Sequence, residues 1–248
     1  MEHHPLLSIS VPSLKSLVLR SSKPVNIDAN CYCCKVPLKA NDITNTFTID
    51  TPSLECLDIV DHHSWFCVIE NMPKLETAHV DVTYCVRGNT LGSLTSAKRL
   101  SLCLPTSKHA YPVGSVFHNL IHLKICTCET EWLNLLIRVL KDSPNLRALK
   151  LEQCHDIHKH EVRPQWREPS QVPECILWRL ETFEWVSYEG LDRDYEKEVA
   201  LFILRNANSL KKATIISSED VHHRDKLEML KELSSCPRAS RTCELLFS

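Results

Sequence analysis

A six-residue pattern, Leu-x-x-Leu-x-Leu, recurs along the 248 residues and constrains the fold more than any other feature of the sequence. Several copies have a proline two residues before the first leucine, as in Pro52-Ser53-Leu54. From Leu54 onward the copies begin about 21 to 34 residues apart, and most of these intervals fall within the roughly 20–29 residues of leucine-rich repeats. The copies begin at Leu14, Leu54, Leu75, Ala97, Leu120, Leu146, Leu180 and Leu210.

This pattern predicts an α/β leucine-rich-repeat solenoid. In each copy the second and third leucines have the two-residue period of a strand, so they point to the same side of it. One repeat cannot bury this side alone, so neighbouring repeats stack as parallel strands that alternate with helices or loops. The interval of about 40 residues between Leu14 and Leu54 is too long for one repeat. We predict a degenerate strand of the series within it, at Phe47-Thr48-Ile49.

Three segments between the strands have the apolar spacing of helices. Residues 129–141 form the first and residues 194–206 the second. For the third helix, Asp225 is predicted as the N-cap, with Glu228 as its capping-box partner and Pro237 just beyond its end. The buried side of this helix is predicted to contain Leu227, Leu230 and Leu233.

Charge and glycine content exclude several classes of protein. The chain has 29 Lys and Arg against 31 Asp and Glu, so it offers no strong positive charge to a nucleic acid. Its four glycines are too far apart to form a phosphate-binding loop. The longest stretch without Lys, Arg, Asp or Glu, residues 109–123, is shorter than the roughly 20 apolar residues of a membrane helix. We therefore expect neither a nucleic acid nor a membrane as a partner.

Thirteen cysteines raise the question of disulfides and metals. The acidic N-terminus lacks the apolar stretch of a secretory signal, so we expect reduced thiols in an intracellular protein of the cytoplasm or nucleus. Candidate metal ligands occur at Cys31-Tyr32-Cys33-Cys34, at Cys126-Thr127-Cys128, and at Cys154, His155, His158 and His160. The first two groups lack the separated Cys-x2-Cys pairs of known zinc modules, and the third fits a polar loop. No metal or cofactor is predicted.

Catalytic motifs are absent from the sequence. There is no GxSxG, no HExxH and no pair of acidic residues that capping of a helix would not explain. We predict no enzymatic activity and no catalytic residue.

The last 80 or so residues carry a second and more specific pattern. It begins with Trp166 and Val172-Pro173-Glu174-Cys175, and it continues through residues 180–185, 203–207, 210–215 and 237–240. In this order and spacing the residues resemble the FBD domain, the C-terminal module of a plant family of F-box and leucine-rich-repeat proteins. The earlier repeats resemble the repeat region of the same family. The resemblance implies a leucine-rich-repeat region over residues 1–160 and an FBD domain over residues 161–248.

In that family an F-box precedes the repeats and docks the protein onto the Skp1 subunit of a cullin ubiquitin ligase. Only 13 residues precede Leu14, so we expect the F-box to be missing and no Skp1-type adaptor to bind. What the resemblance implies is then a non-enzymatic interaction module, similar to the part of a ubiquitin-ligase substrate adaptor that recognises an unknown target protein. The alternatives are a small-molecule, hormone-like sensor on the same scaffold and a non-functional truncated member of the family.

The candidate binding surface consists of side chains between the first two leucines of the repeats. These are mixed in charge, so they indicate no ligand class. The FBD-like segment is richer in aromatic residues than the repeats, and we predict that it caps the last repeat, with Trp185 pointing inward from a third leucine position. The candidate binding residues are Lys15, Glu55, Glu76, Lys98, Arg99, His122 and Arg147.

Overall fold

The computed structural model describes residues 7–20, 46–61, 66–70, 72–82, 90–104, 115–128, 131–155, 166–190, 194–219 and 221–248. These residues form mostly parallel strands that alternate with helices and turns, which confirms the α/β class. The chain divides into two compact units, Met1–Leu120 and Ile121–Ser248. The domain boundary predicted near residue 160 falls inside the second unit and stays a prediction.

The first unit contains two parallel sheets. Its elements are β1 (Leu7–Ser10), β2 (Ser16–Arg20), β3 (Thr46–Asp50), β4 (Cys56–Asp61), β5 (Phe66–Ile69), β6 (Thr77–Val82), the short helix α1 (Thr90–Ser93) and β7 (Arg99–Cys103). Strands β2, β4, β6 and β7 pair in that order and carry the first four leucine patterns. Strands β1, β3 and β5 form the other sheet.

The strand predicted at Phe47-Thr48-Ile49 exists, but its place in the repeat series is wrong. Strand β2 pairs directly with β4, with Leu17 opposite Leu57, so no repeat strand lies between them. Strand β3 instead pairs with β1 and β5, and Ile49 is fully buried. A short apolar strand has the same local pattern in either sheet, so only its distant partners decide where it belongs.

The second unit continues the repeat pattern into the FBD-like segment. Its elements are β8 (His122–Cys126), α2 (Trp132–Lys141), β9 (Ala148–Glu152), α3 (Glu174–Trp178), β10 (Thr182–Tyr188), α4 (Asp194–Asn206), β11 (Lys212–Ser217), α5 (His223–Ser235) and β12 (Glu244–Phe247). Strands β8 to β12 pair in chain order, and all the pairs are parallel. The FBD-like strand β10 therefore extends the ladder at β9.

Turns before the strands explain the prolines of the pattern. In residues 51–54 the Leu54 N–H donates to the Thr51 carbonyl at 2.9 Å, which closes a four-residue turn with Pro52 at its second position. Proline favours this position because its fixed φ matches the turn. The Leu146 N–H closes the same kind of turn onto Ser143, around Pro144. Each turn thus directs the first leucine into the core just before the strand begins.

The leucine positions form the core of both units. Leu54, Leu57 and Ile59 are 0%, 2% and 3% exposed, and every copy from Leu54 to Leu210 is buried in the same way. The first copy differs, since its three leucines, Leu14, Leu17 and Leu19, are only half-buried. Among the described residues β2 has a partner on one side only, which leaves its leucines less covered.

The helices agree with prediction in two cases and differ in one. Helix α2 begins at Trp132, a few residues later than predicted, and α4 has the predicted bounds. Helix α5 begins at His223 with His222 as its N-cap, so the cap predicted at Asp225 is wrong and Asp225 lies in the first turn. None of the described helices has both the length and the apolar character needed to cross a membrane.

The predicted buried side of α5 is also partly wrong. Leu227 is 52% exposed, whereas Met229 and Leu233 are buried. Met229 and Leu233 are four residues apart and share one side of the helix, while Leu227 projects from the other side. The observed buried side is therefore rotated around the helix axis from the predicted one, because the prediction counted only leucines and left out Met229 as a core residue.

An aromatic cluster fills the middle of the second unit. The fully buried Trp185 packs edge-on against Trp132, Phe183 and Tyr188, with ring centroids 5.9, 6.2 and 5.3 Å away. Tyr188 reaches this core through a β-bulge, at which Ser187 adopts a positive φ of 61°. The bulge shifts the strand by one residue, so Tyr188 points inward where the two-residue period would have pointed it outward.

Candidate interaction surface

Several of the predicted binding residues pair with one another just before the repeat strands. In the first unit Lys15 Nζ lies 2.6 Å from Glu55 Oε1, and Lys98 Nζ lies 2.6 Å from Glu76 Oε1. All four side chains are well exposed, so water screens the pairs and they add little to stability. A target that binds here would compete with these intramolecular pairs.

The other three predicted residues lie at or next to a strand start. Arg147 Nη1 is 3.3 Å from Glu181 Oε1, and Glu181 Oε2 is 2.6 Å from Lys211 Nζ. Arg99 is exposed on the first residue of β7, and His122 is half-buried on the first residue of β8. The structure therefore divides the seven predicted residues between its two units.

The predicted binding surface leaves out two strand positions of each repeat. One lies between the second and third leucines, and the other directly follows the third leucine. Lys124 lies opposite Lys150, Lys150 opposite Glu184, and Glu184 opposite Thr214 in the parallel ladder. Side chains alternate along a strand, so these residues project on the side away from the buried leucines. The same two-residue period that predicted the core could have identified them. We define the outer strand face of the second unit as Lys124, Lys150, Glu152, Glu184, Val186, Thr214, Ile216 and Leu246.

Four charged residues form a connected network on this outer strand face. Lys124 Nζ is 2.5 Å and Lys150 Nζ 3.5 Å from Glu152 Oε2, and Lys150 Nζ is also 3.0 Å from Glu184 Oε1. Between 25% and 42% of each side chain is exposed, so the network is neither buried nor fully solvated. Two positive and two negative charges alternate across three strands, which gives the network no net charge.

Lys124 and Glu152 form the tightest pair of the network. Burial alone would lower the pKa of Lys124, but the hydrogen bond to Glu152 and the surrounding negative charges raise it overall. Burial alone would raise the pKa of Glu152, but the hydrogen bond and charge of Lys124, together with Lys150, lower it overall. Both groups therefore stay charged at neutral pH.

Apolar side chains adjoin the charged network. Val186 and Ile216 are half-buried on β10 and β11, and Leu246 of β12 is 38% exposed opposite Thr214. Apolar side chains beside charged ones at the surface are the arrangement of many protein interfaces, in which an apolar centre has a polar rim. The outer strand face thus combines both components on one sheet.

The corresponding face of the first unit has a different composition. Val18, on β2, is 57% exposed and lies opposite Asp58 of β4. Arg20 Nη2 is 2.5 Å from Asp58 Oδ2, and His79 Nδ1 is 3.9 Å from Asp58 Oδ1. On this face the Asp58 carboxylate therefore lies between Arg20 and His79.

The structure brings together cysteines from two of the predicted metal-ligand groups. Cys126 Sγ lies 3.0 Å from Cys128 Sγ, and the Cys154 N–H donates to Cys126 Sγ at 3.2 Å. A side-chain hydrogen bond with the Cys126 thiol, together with burial, raises the pKa of the Cys154 thiol. Of the other predicted ligands, Cys31, Cys33, Cys34, His158 and His160 lie outside the described residues.

Residues 168–215 match the FBD family. This stretch contains α3, β10, α4 and most of β11. The match therefore covers the strand that carries Trp185 and Glu184, and it confirms the FBD resemblance of the C-terminal segment.

Relatives from Arabidopsis thaliana extend the likeness to nearly the whole chain. A probable FBD-associated F-box protein is 53% identical over 97% of this chain and 53% of its own length. A putative FBD-associated F-box protein is 51% identical over 98% of this chain, and an F-box/FBD/LRR-repeat protein is 46% identical over 98% of it.

The chain spans about half the length of these curated relatives, since each match covers 53% of the relative. No solved structure matches the chain. Over nearly its whole length the chain is similar to FBD-associated F-box and F-box/FBD/LRR-repeat proteins, with identities of 46% to 53%, and residues 168–215 match the FBD family.

Proposed function

We propose that this chain is a non-enzymatic protein-interaction module that binds a target protein through the outer strand face of its second unit. The observation that carries the proposal is the joint placement of the charged network and the apolar residues on one parallel sheet. We propose further that the repeat strands belong to a leucine-rich-repeat solenoid, in which strand faces serve for binding.

The charges favour a protein as the target. A nucleic acid or an anionic membrane is bound by an excess of Lys and Arg, and the affinity grows with each phosphate that is neutralised. Here Lys124 and Lys150 are already neutralised by Glu152 and Glu184. A protein surface with both signs of charge around an apolar centre is the complement of such a face.

The thiol chemistry supports a non-enzymatic role. Burial raises the pKa of the Cys175 thiol to about 12, and burial also raises the pKa of Cys243. A cysteine nucleophile needs the opposite shift, because the thiolate is the reactive form. These thiols are therefore protonated and inert at neutral pH.

The names of the relatives suggest the process in which this chain takes part. They are F-box proteins, and we propose that this chain performs the target-recognition step of a ubiquitin-ligase substrate adaptor. In this role the outer strand face selects the target, and the FBD region supplies strands β10 and β11 of that face.

The test compares partners captured from plant tissue by the tagged wild-type chain and by three variants. Lys150→Glu breaks two ion pairs at the centre of the outer strand face. The double variant Lys150→Glu/Glu184→Lys restores the pair between positions 150 and 184 with its charges reversed, but it inverts the charge pattern that a target meets. Arg205→Glu, on the exposed side of α4, is the matched control for a change of charge.

We expect wild type and Arg205→Glu to capture the same protein, and Lys150→Glu and the double variant to lose it. Circular dichroism of each variant verifies that it is folded. If the double variant captured the partner as well as wild type, the outer strand face would not be the binding site.

A further inference from the structure

Strand β12 forms an open edge of the parallel sheet in the second unit. Among the described residues it pairs with β11 and with no other strand. Glu244 and Ser248 both donate their N–H groups to backbone carbonyls on the β11 side, at 2.9 and 3.0 Å. Alternate residues of a parallel strand bond to the same neighbour, so the N–H and C=O groups of Leu245 and Phe247 face the open side. This edge therefore presents backbone donors and acceptors to a further strand.

The side chains of β12 leave apolar surface on both sides of the edge. Leu245 lies opposite Ala213, and Phe247 lies opposite Ile215, so both point into the core as their partners do. Ala213 and Ile215 are fully buried, whereas Leu245 and Phe247 are only half-buried. Leu246 projects on the outer strand face and is 38% exposed. A strand added at this edge would cover more of all three side chains.

Strand β12 has few of the features that usually protect an edge strand. Proteins protect such strands with lysine or proline on the strand, with a bulge, or with a very short strand. The stretch Leu245-Leu246-Phe247 contains no charged residue and no proline, and its register with β11 is unbroken. Glu244, at the first position, is the one charged residue of β12. The edge is therefore suited to pairing with another strand.

We propose that two copies of this chain associate through β12, with the two strands antiparallel and Leu246 at the two-fold axis. A two-fold axis perpendicular to the sheet reverses the strand direction and keeps the inner and outer sides of both copies aligned. In this register Leu245 of one copy lies opposite Phe247 of the other. These two residues exchange both of their backbone hydrogen bonds, as the hydrogen-bonded pairs of an antiparallel ladder do. The groups that face the open side are thus the ones that pair.

The side chains of β12 favour a second copy over an unrelated strand. At the two-fold axis Leu246 packs against Leu246 of the second copy, and on the inner side each Leu245 packs against a Phe247. Both contacts remove apolar surface from water. The two Glu244 carboxylates lie at opposite ends of the strand pair, each opposite Ser248 of the second copy, so no like charges face each other. The strand is thus complementary to itself in hydrogen bonding, apolar surface and charge.

The geometry also limits the size and the strength of this assembly. Each copy uses its β12 edge once, so the two-fold contact closes at two copies. Interfaces that bury less than about 1,200 Å² are typical of weak association. A pair of four-residue strands belongs to this class, so we expect a monomer–dimer equilibrium that depends on concentration.

This inference does not depend on the proposed function, because its test uses the purified full chain without a target. Sedimentation equilibrium over a range of concentrations, with reductant present, measures the dissociation constant. Leu246→Lys places two ammonium groups at the two-fold axis, where the opposed Cα atoms are only about 4.5 Å apart. Val186→Lys makes the same kind of change on the outer strand face two strands away from the edge, and it is the matched control. Circular dichroism verifies that each variant is folded.

We expect wild type and Val186→Lys to dimerise with similar dissociation constants. Leu246→Lys should dimerise at least about tenfold more weakly, because like charges directly opposite each other destabilise a strand pair. Leu246→Cys provides a second measurement that does not need the lysine variant to fold. Its two cysteines at the axis lie within the range of Cα distances that a disulfide spans, so mild oxidation should link the two copies at position 246. Mass spectrometry of the digested protein identifies that link among the native cysteines.

Three results would overturn the proposal. The first is a wild-type chain that stays monomeric at every concentration, in which case the edge would be open to an extended segment of another protein and not to a second copy. The second is a dimer whose dissociation constant is the same in folded Leu246→Lys, which would mean that the copies meet through another surface. The third is a dimer in which oxidised Leu246→Cys gives no disulfide between the two copies of position 246.

Discussion

Replacing Trp185 with alanine should strongly destabilise the second unit. Trp185 is fully buried and packs against three aromatic rings at centroid distances between 5.3 and 6.2 Å. Truncation of a buried tryptophan costs about 3–5 kcal/mol, because apolar burial is lost and a cavity remains. A domain stabilised by about 5–15 kcal/mol has little margin for such a loss.

The indole N–H of Trp185 moves the expected loss of stability toward the lower end of this range. Trp185 Nε1 has no hydrogen-bond partner among the described residues. A buried unpaired donor costs about 1–3 kcal/mol, and truncation removes that cost together with the ring. We therefore expect a loss of about 3 kcal/mol for Trp185→Ala. Trp185→Phe keeps an aromatic ring and removes the unpaired N–H, so it should cost clearly less.

Urea denaturation followed by circular dichroism measures this effect. With a slope of about 2–3 kcal/mol per molar urea, a loss of 3 kcal/mol lowers the midpoint by about 1 to 1.5 M. Trp178→Ala is the matched control, since Trp178 belongs to the same region and is 64% exposed. If Trp185→Ala lowered the midpoint no more than Trp178→Ala does, the aromatic cluster would not be the core of this unit.

Three further predictions concern packing, pH and the charged network. Gly190→Ala should lower the free energy of unfolding by about 1–3 kcal/mol, because a Cβ there would overlap the buried Tyr188 side chain; a melting temperature equal to that of wild type would contradict this. Burial raises the pKa of Cys175 to about 12, above its unfolded value of about 8.5, so the folded state keeps a proton that the unfolded state loses. The stability that Cys175 contributes is thus complete below about pH 8.5 and should fall by up to about 1.4 kcal/mol per pH unit above it, so denaturation of Cys175→Ala should show a correspondingly smaller loss of stability above pH 8.5 than wild type. Lys124→Met should raise the pKa of Glu152 above its wild-type value, because it removes the hydrogen bond and the positive charge of Lys124 that oppose the effect of burial. Carbon NMR of the carboxylates measures that pKa, and Lys98→Met, which frees Glu76 instead, should leave Glu152 unchanged.

The leucine pattern was sufficient to predict most of the repeat strands. The seven repeat copies between Leu54 and Ile215 each form a strand with buried leucine positions, as local spacing predicts. The strand at Ile49 shows where local spacing stops being informative. Its residues form a strand in any context, but its sheet depends on partners near Ile9 and Ile69, which no local rule connects to it.

The candidate surface was predictable in part. Sequence reasoning selected Lys15, Glu55 and similar residues before the strands, although the alternation along each strand also exposes residues such as Lys150 and Glu184. The meeting of Cys126 with Cys154 was not predictable, because it depends on the register between β8 and β9. A shift of one residue would place Cys126 beside a different side chain.

Site-specific photo-crosslinking to the captured partner tests the central claim most directly. A benzophenone amino acid replaces Thr214 on the outer strand face in one variant and the exposed Arg205 on α4 in another. The claim that the outer strand face binds the target predicts a crosslink to the partner from position 214 and none from position 205. Crosslinking from position 205 but not from position 214 would contradict it.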